Sequence, residues 1–342
     1  MRPKEIQKLL ACALAHGSGE DELCSVYIEG GPGVGKSSLV YEAARSAGVD
    51  FVDFRLTLRD PVDLRGLPFA DRKGEAARWL APAELPRDGK GILMFDDLPT
   101  AAPAVQAAAY QIVIWPHRLG EYQLPPGWIV VGAGNRRGEG LYHPIPPALR
   151  NRFTYVAMDV HLDDWTAWAI TADVDPVVIA FIHWAYGRDQ KEGRQHWPLY
   201  CFDSETDWTF PTPRGWERVS RKVKAGLEGD VLAEAVAGDV GLATAQEFMA
   251  YRRMSSDIPD PREILEGRVY SLDRIDVVYA TVVSVAHHAK PHQYDRALDF
   301  AIQLSPEFAV LMAQLLAAKD PEALRRARTF DQWIDIFGGL IA

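Results

Sequence analysis

The sequence predicts an α/β protein, with a mainly parallel sheet flanked by helices and an all-α region running on to the C-terminus. Three observations carry this prediction. Short apolar runs alternate with helical stretches through residues 1–160; strand signals fade beyond that point; and a glycine-rich loop separates the first apolar run from the helical stretch that follows it.

The elements follow in order. "MRPKEIQKLLACALAHG" reads as an amphipathic helix, because its apolar stretch is short and broken by Gln7, Lys8 and His16, unlike a secretory signal. Apolar runs at 25–29, 51–56, 92–97, 128–133 and 153–160 predict five strands. The third and fourth are nearly continuous, as expected of strands covered on both faces. Helical patterns at 37–48 and 102–113 lie between them. Beyond 160, "DDWTAWAI" opens a helix with Asp163 or Asp164 as its N-cap. "DPVVIAFIHWAYG" (175–187) is expected to end at Gly187, and 188–213 reads as a loop rich in Trp, Pro and Gly. From "TPRGWERVSRKVKAGL" onward the pattern is helical, including 276–289, 294–304 and 306–318. The expected organisation is an α/β core at 1–160, a helical domain at 161–260 and a helical C-terminal extension at 261–342.

Bulk properties narrow the function. A chain of 342 residues, 48% of them hydrophobic, exceeds one ordinary core. Its net charge of −10 makes nucleic acid a weaker expectation as main partner. Cys12, Cys24 and Cys201 form no CxxC pair, which argues against a disulfide framework and fits a reducing cytoplasm. No run of 18 apolar residues exists that would span a membrane.

The glycine-rich loop satisfies G-x-x-x-x-G-K-[ST] from Gly30 to Ser37. Its glycines let successive N–H groups turn inward, and the following helix adds its positive end. Gly31, Pro32, Gly33, Val34, Gly35, Lys36, Ser37 and Ser38 therefore form the candidate phosphate cradle. Lys36 is placed to reach the β- and γ-phosphates, and Ser37 to put its hydroxyl on Mg²⁺. The competing reading is a glycine-rich turn with a chance lysine; a strand before and a helix after weigh against it. In "GILMFDDLP", four apolar residues set Asp96 at the C-terminal end of a buried strand, where ligands of open α/β sheets sit. Asp96 is the Mg²⁺ carboxylate candidate and Asp97 the residue that polarises water; both could instead cap the next turn. Together these motifs predict a P-loop NTPase core that holds a nucleoside triphosphate with Mg²⁺, ATP being the expected nucleotide and GTP left open by the motifs.

The assembled residues resemble a AAA+ ATPase, and within it the MoxR-like group. "GWIVVGAGNRR" is similar to the strand ending in the sensor-1 asparagine, here Asn135. "IPPALRNRFTYVAMDV" is similar to the segment bearing the arginine finger, which implies Arg152, with Arg150 as second candidate. "FPTPRGWERVS" is similar to the lid helix with the sensor-2 arginine, here Arg214. "DPVDLRGLP" (60–68) resembles an insert in the second core helix and "VIWPHRLGEYQLPPGW" (113–128) the hairpin before sensor 1. The resemblance covers about residues 20–225. It implies that the helical domain is a lid, that chains assemble in a ring, a hexamer by likeness, and that a protein client is remodelled beside a von Willebrand factor A domain partner. Asp97 stands where many relatives carry Glu, so hydrolysis is expected to be slow.

Within the same resemblance the hairpin tip offers His117, Arg118 and Tyr122 to a client, although packing on their own domain explains them equally well. Competing functions are a small-substrate P-loop kinase, a nucleotide-dependent scaffold that hardly cleaves ATP, and a restriction-type DNA motor. His287, His288 and His292 read as a polar helix end rather than a metal site, since Pro291 interrupts their spacing.

Overall fold

The computed structural model describes residues 1–17, 23, 25–192, 198–202, 208–254 and 258–340; Cys24 and parts of the expected 188–213 loop lie outside them. The chain divides into two compact units, Met1–Asp159 and Val160–Ala342.

The first unit opens with α1 (Pro3–His16), which buries Ile6, Leu10 and Ala13 along one stripe. Gly17 ends it at φ 68°, where a Cβ would stand 2.3 Å from the Pro126 carbonyl, so only glycine fits this approach. Five parallel strands follow: β1 (Ser25–Glu29), β2 (Asp50–Asp53), β5 (Lys90–Phe95), β8 (Gly127–Gly134) and β9 (Phe153–Ala157). Their order across the sheet is β2-β5-β8-β1-β9. The near-continuous apolar runs of β5 and β8 take interior positions and are buried almost throughout, as two-faced coverage requires. Expected strand ends shorten at β2 and β9, the two edges of the sheet.

Between the strands lie α2 (Lys36–Ala47), α3 (Pro61–Arg65), the antiparallel hairpin β3 (Leu67–Ala70) and β4 (Ala77–Leu80), α4 (Pro103–Ala109), the short hairpin β6 (Arg118–Leu119) and β7 (Tyr122–Gln123), and α5 (Pro147–Arg150). The helix expected at 102–113 stops early, and Ile112 and Val113 turn into the core instead.

The second unit is entirely helical among the described residues. It comprises α6 (Leu162–Thr171), α7 (Pro176–Glu192), α8 (Pro213–Lys224), α9 (Gly229–Val240), α10 (Leu242–Met254), α11 (Pro261–Leu265), α12 (Ile275–His288), α13 (Tyr294–Ile302), α14 (Pro306–Lys319), α15 (Pro321–Arg326) and α16 (Arg328–Phe337). Two local expectations are corrected. The N-cap of α6 is His161, with Asp163 and Asp164 inside the first turn, where they complement the helix dipole rather than cap it. α7 runs through Gly187 to Glu192, because at Gly187 the missing side chain makes room for a neighbour: a Cβ there would lie 2.8 Å from the Tyr279 hydroxyl.

One apolar core extends from Trp165 to Phe337, so helices on both sides of position 260 share it. Its centre is aromatic: Phe181 meets Trp216, Phe248 and Tyr251 at centroid distances of 5.3, 5.4 and 5.6 Å.

Candidate active site

β1 ends at the cradle. The Gly30 N–H donates to the Gly134 carbonyl at 3.2 Å, tying the loop to the end of β8. Gly33 and Gly35 take φ values of 74° and 99°, in the left-handed region that side chains resist. Gly35 occupies the N-cap position of α2 with no side chain to satisfy the helix's first N–H groups, which suits that end to an anion.

Lys36 is buried, and its ammonium donates to the Gly30 and Gly31 carbonyls at 2.9 Å each and to Asn135 Oδ1 at 2.8 Å. The Ser37 hydroxyl donates to Asp96 Oδ2 at 2.7 Å. Asp96 is buried at the end of β5, and its Oδ1 accepts the Asp97 N–H at 3.0 Å. Asp97 sits at φ 54°, a conformation Asp tolerates better than most residues. Burial, with Asp96 next, pushes its carboxyl above the usual range, while Lys36 and Arg55 pull it back.

Sheet order explains the convergence. β8 lies between β1 and β5, so Asn135 falls between the lysine that follows β1 and the aspartates that follow β5. The donor set fits a magnesium-bound nucleoside triphosphate. A serine hydroxyl and a carboxylate, both hard oxygen ligands, stand 2.7 Å apart. A buried ammonium is held beside them by carbonyls and an amide, and the glycine cradle opens at the same end of the sheet. Lys36, Ser37, Asp96, Asp97 and Asn135 are thus brought together with the cradle Gly31–Ser38.

The arginine candidates differ. Arg152, just after α5, is half-buried and engaged within its own chain: its guanidinium lies 3.7 Å from the Tyr110 ring centroid, and Nη1 donates to the Ala148 carbonyl at 2.9 Å. Arg150, at the end of α5, is exposed and has no side-chain hydrogen bond or ion pair among the described residues. Arg214 belongs to the second unit, exposed on the first turn of α8, whose N-cap Thr212 accepts the Gly215 N–H at 2.9 Å.

The hairpin residues pack on their own unit. His117 is buried with Nδ1 2.7 Å from the Ile112 carbonyl, and the Tyr122 hydroxyl donates to the Pro86 carbonyl at 2.7 Å. Both make these contacts within their own unit; Arg118 stays exposed beside Gln123. In the helical unit, His288 Nδ1 lies 2.8 Å from the Ser284 carbonyl and His287 Nε2 3.7 Å from Asp173, as helix-end contacts.

Sequence reasoning passed over three residues near the site. Arg55, just beyond β2, donates to Asp53 at 3.0 Å and feels both Asp96 and Asp97. Tyr27 presses its buried hydroxyl to 2.4 Å from where a Gly134 side chain would begin. Gln106 is fully buried in α4. Only "FVDFRL" held a signal, a charged pair closing an apolar run; Tyr27 and Gln106 look like ordinary core and helix positions.

These features make the first unit a P-loop nucleotide-binding fold, with helices continuing beyond it. No protein-family model matches the chain, and no curated protein matches it. Among solved structures it is similar to a point mutant of Thermotoga maritima RuvB at 18% identity, over 77% of this chain and 75% of that one, with a TM-score of 0.42. The T. maritima RuvB Holliday junction branch migration motor matches at 18% identity over 77% and 74%, TM-score 0.41. A Cytophaga hutchinsonii protein with a provisional ATPase assignment matches at 13% identity over 92% and 81%, TM-score 0.35.

Proposed function

We propose that this chain is a AAA+ ATPase of the MoxR-like group, which binds ATP with Mg²⁺ and uses its hydrolysis to remodel a protein client. The observation carrying the proposal is the polar cluster in which Lys36 meets Asn135 while Ser37 meets Asp96, at the end of a five-stranded parallel sheet. Lys36 and the cradle amides hold the phosphates, and Ser37 and Asp96 hold the metal, which when bound neutralises developing phosphate charge. Asp97 and Asn135 orient the attacking water.

Catalysis is completed in trans by an arginine from a second copy. Arg150 is the better placed of the two candidates, because its guanidinium is uncommitted, and Arg152 anchors the segment through Tyr110. Arg214 is the sensor-2 candidate. The reading includes a hexameric ring, a lid within 161–260, an extension at 261–342, a cytoplasmic setting and a von Willebrand factor A domain partner. Turnover of the purified chain with Mg²⁺, measured alongside its mass in solution, tests the core of it. Activity should rise steeply with protein concentration as rings form. Full activity in a strictly monomeric preparation would refute the trans mechanism.

A second reading is favoured by one feature. Asp97 is a methylene shorter than glutamate and its carboxyl is pushed up by burial and by Asp96, so the protein could serve as a slow switch that holds ATP. A gain of about tenfold or more in Asp97→Glu would support that switch, since misplacement of about 1 Å can cost about 10²-fold in rate.

A further inference from the structure

We infer that Gln106 is a positioning residue that fixes the arginine-bearing segment to the aspartate-bearing turn; the inference rests on the ATPase reading above. Gln106 lies on α4 with no exposed surface. Its Nε2 donates to the Leu98 and Ala101 carbonyls at 3.2 Å each and to the His143 carbonyl at 3.3 Å. An amide nitrogen carries only two hydrogens, so three converging carbonyls share them. Oε1 meets no partner among the described residues, which leaves the donors as the working end of the side chain.

The three acceptors belong to two different parts of the site. Leu98 and Ala101 bracket the turn that directly follows Asp96 and Asp97. His143 belongs to the loop that runs from Asn135 into α5, and so to Arg150. A second strap runs beside the first: the His143 N–H donates to the Pro99 carbonyl at 2.6 Å. Pro99 in turn rests on the end of β8, with its ring 2.2 Å from where a Gly134 side chain would begin. The turn is therefore clamped between the sensor strand and the loop, and Gln106 closes the clamp. A shift of the phosphate-facing aspartates moves the carbonyls of Leu98 and Ala101, and through one amide it moves the loop leading to Arg150. The loop sequence "HPIPP" (143–147) is stiff, which favours transmission over absorption of that shift. Gln106 touches neither nucleotide nor water in this account.

The test compares the native chain with Gln106→Met, Gln106→Leu and the loop variant His143→Pro, which removes the parallel N–H strap without entering the core. Turnover should fall about tenfold or more in the Gln106 variants and less in His143→Pro, with the affinity for a fluorescent ATP analogue and Mg²⁺ within twofold of native. In combination with Arg150→Ala, the Gln106→Leu effect should largely vanish, because both changes disable the same segment. Native turnover and its loss in Asp97→Asn judge the ATPase reading separately. Hydrogen exchange judges the linkage whether or not that reading stands. The His143 N–H, which donates to the Pro99 carbonyl, should exchange about tenfold faster in Gln106→Met, while the amides of α2 keep their native rates. Unchanged exchange there, full additivity with Arg150→Ala, or a rate loss matched by an equal loss of nucleotide affinity overturns the inference. If both Gln106 variants fail to fold, Gln106→Asn, whose amide sits one methylene back from the His143 carbonyl, carries the same readouts, and a native profile in it overturns the inference.

Discussion

The two units of this chain treat buried polar groups in opposite ways. In Met1–Asp159 several of them gather at one end of the sheet, where Lys36, Asp96, Asp97 and Asn135 crowd together, and where burial and the neighbouring Asp96 raise the Asp97 carboxyl against the pull of Lys36. In Val160–Ala342 they are spent on holding helices together. Lys319 donates to carbonyls at the end of α12, those of Ala286, His287 and Ala289, at 2.9, 2.7 and 2.7 Å. Lys222 reaches Asp239 at 2.5 Å and joins α8 to α9. His183 and Thr166 pair at 2.9 Å between α7 and α6. Convergence of several charged and polar groups on one strand end marks a candidate site; pairs that each join two helices mark a scaffold.

That contrast can be broken or sharpened by substitution, since changes in the first unit should alter rate and changes in the second should alter stability. The largest effect is expected from Arg150→Ala, a loss of about 10³–10⁵ in turnover, the range typical of a trans-acting arginine. Arg152→Ala should cost much less, about tenfold, through loosening of the segment held on Tyr110; steady-state kinetics of both variants across a range of protein concentrations decides, and a reversed ranking would assign the role to Arg152. Next comes Asp97→Asn, with turnover down about 10²–10⁴ and nucleotide binding retained by equilibrium titration. Retained turnover would leave Asp97 as a turn residue only.

In the scaffold the effects are smaller and of another kind. Lys319→Met should lower stability by about 2–3 kcal/mol, because three carbonyls lose a charged donor, while turnover per folded molecule stays native. Denaturant titration checks this. The smallest concerns pH. Burial drops the His183 imidazole from the ordinary 6.5 to about 4. The unfolded chain therefore takes up this proton first as pH falls, so the helical unit holds its full stability above about pH 6.5 and loses it progressively toward pH 4. Between pH 7 and 5 the loss attributable to His183 should be about 2 kcal/mol. Urea unfolding at both values should show a shallower pH dependence in His183→Gln, and an unchanged slope would mean the histidine is protonated in place.

Much of the α/β unit was legible because its signals are local. A glycine loop before a helix and four apolar residues before Asp96 each state their own geometry, and "ILMF" and "IVVGA" mark interior strands. The helical unit was legible as helices but not in detail. Gly187 is a helix stop by composition, yet the close approach of Tyr279, far along the chain, turns it into a helix interior position. Asp163 and Asp164 could each cap, and only the extended backbone at His161 places the cap one residue before α6 begins. Of the candidate site, Lys36, Ser37, Asp96, Asp97 and Asn135 were found from motif and resemblance. Gln106 and Tyr27 were not, since their meaning lies in carbonyls and glycines brought to them by other segments.

The sequence by itself determined the phosphate cradle, the strand that ends in two aspartates, and the change from alternating to purely helical architecture, because each depends on residues within a few positions of one another. Tertiary structure alone decided that β8 lies between β1 and β5, that Arg152 is tied down on Tyr110 while Arg150 is left exposed, and that one buried amide joins two loops. Those outcomes depend on which surfaces pack together, and packing is settled by the whole set of apolar faces at once rather than by any short stretch of chain.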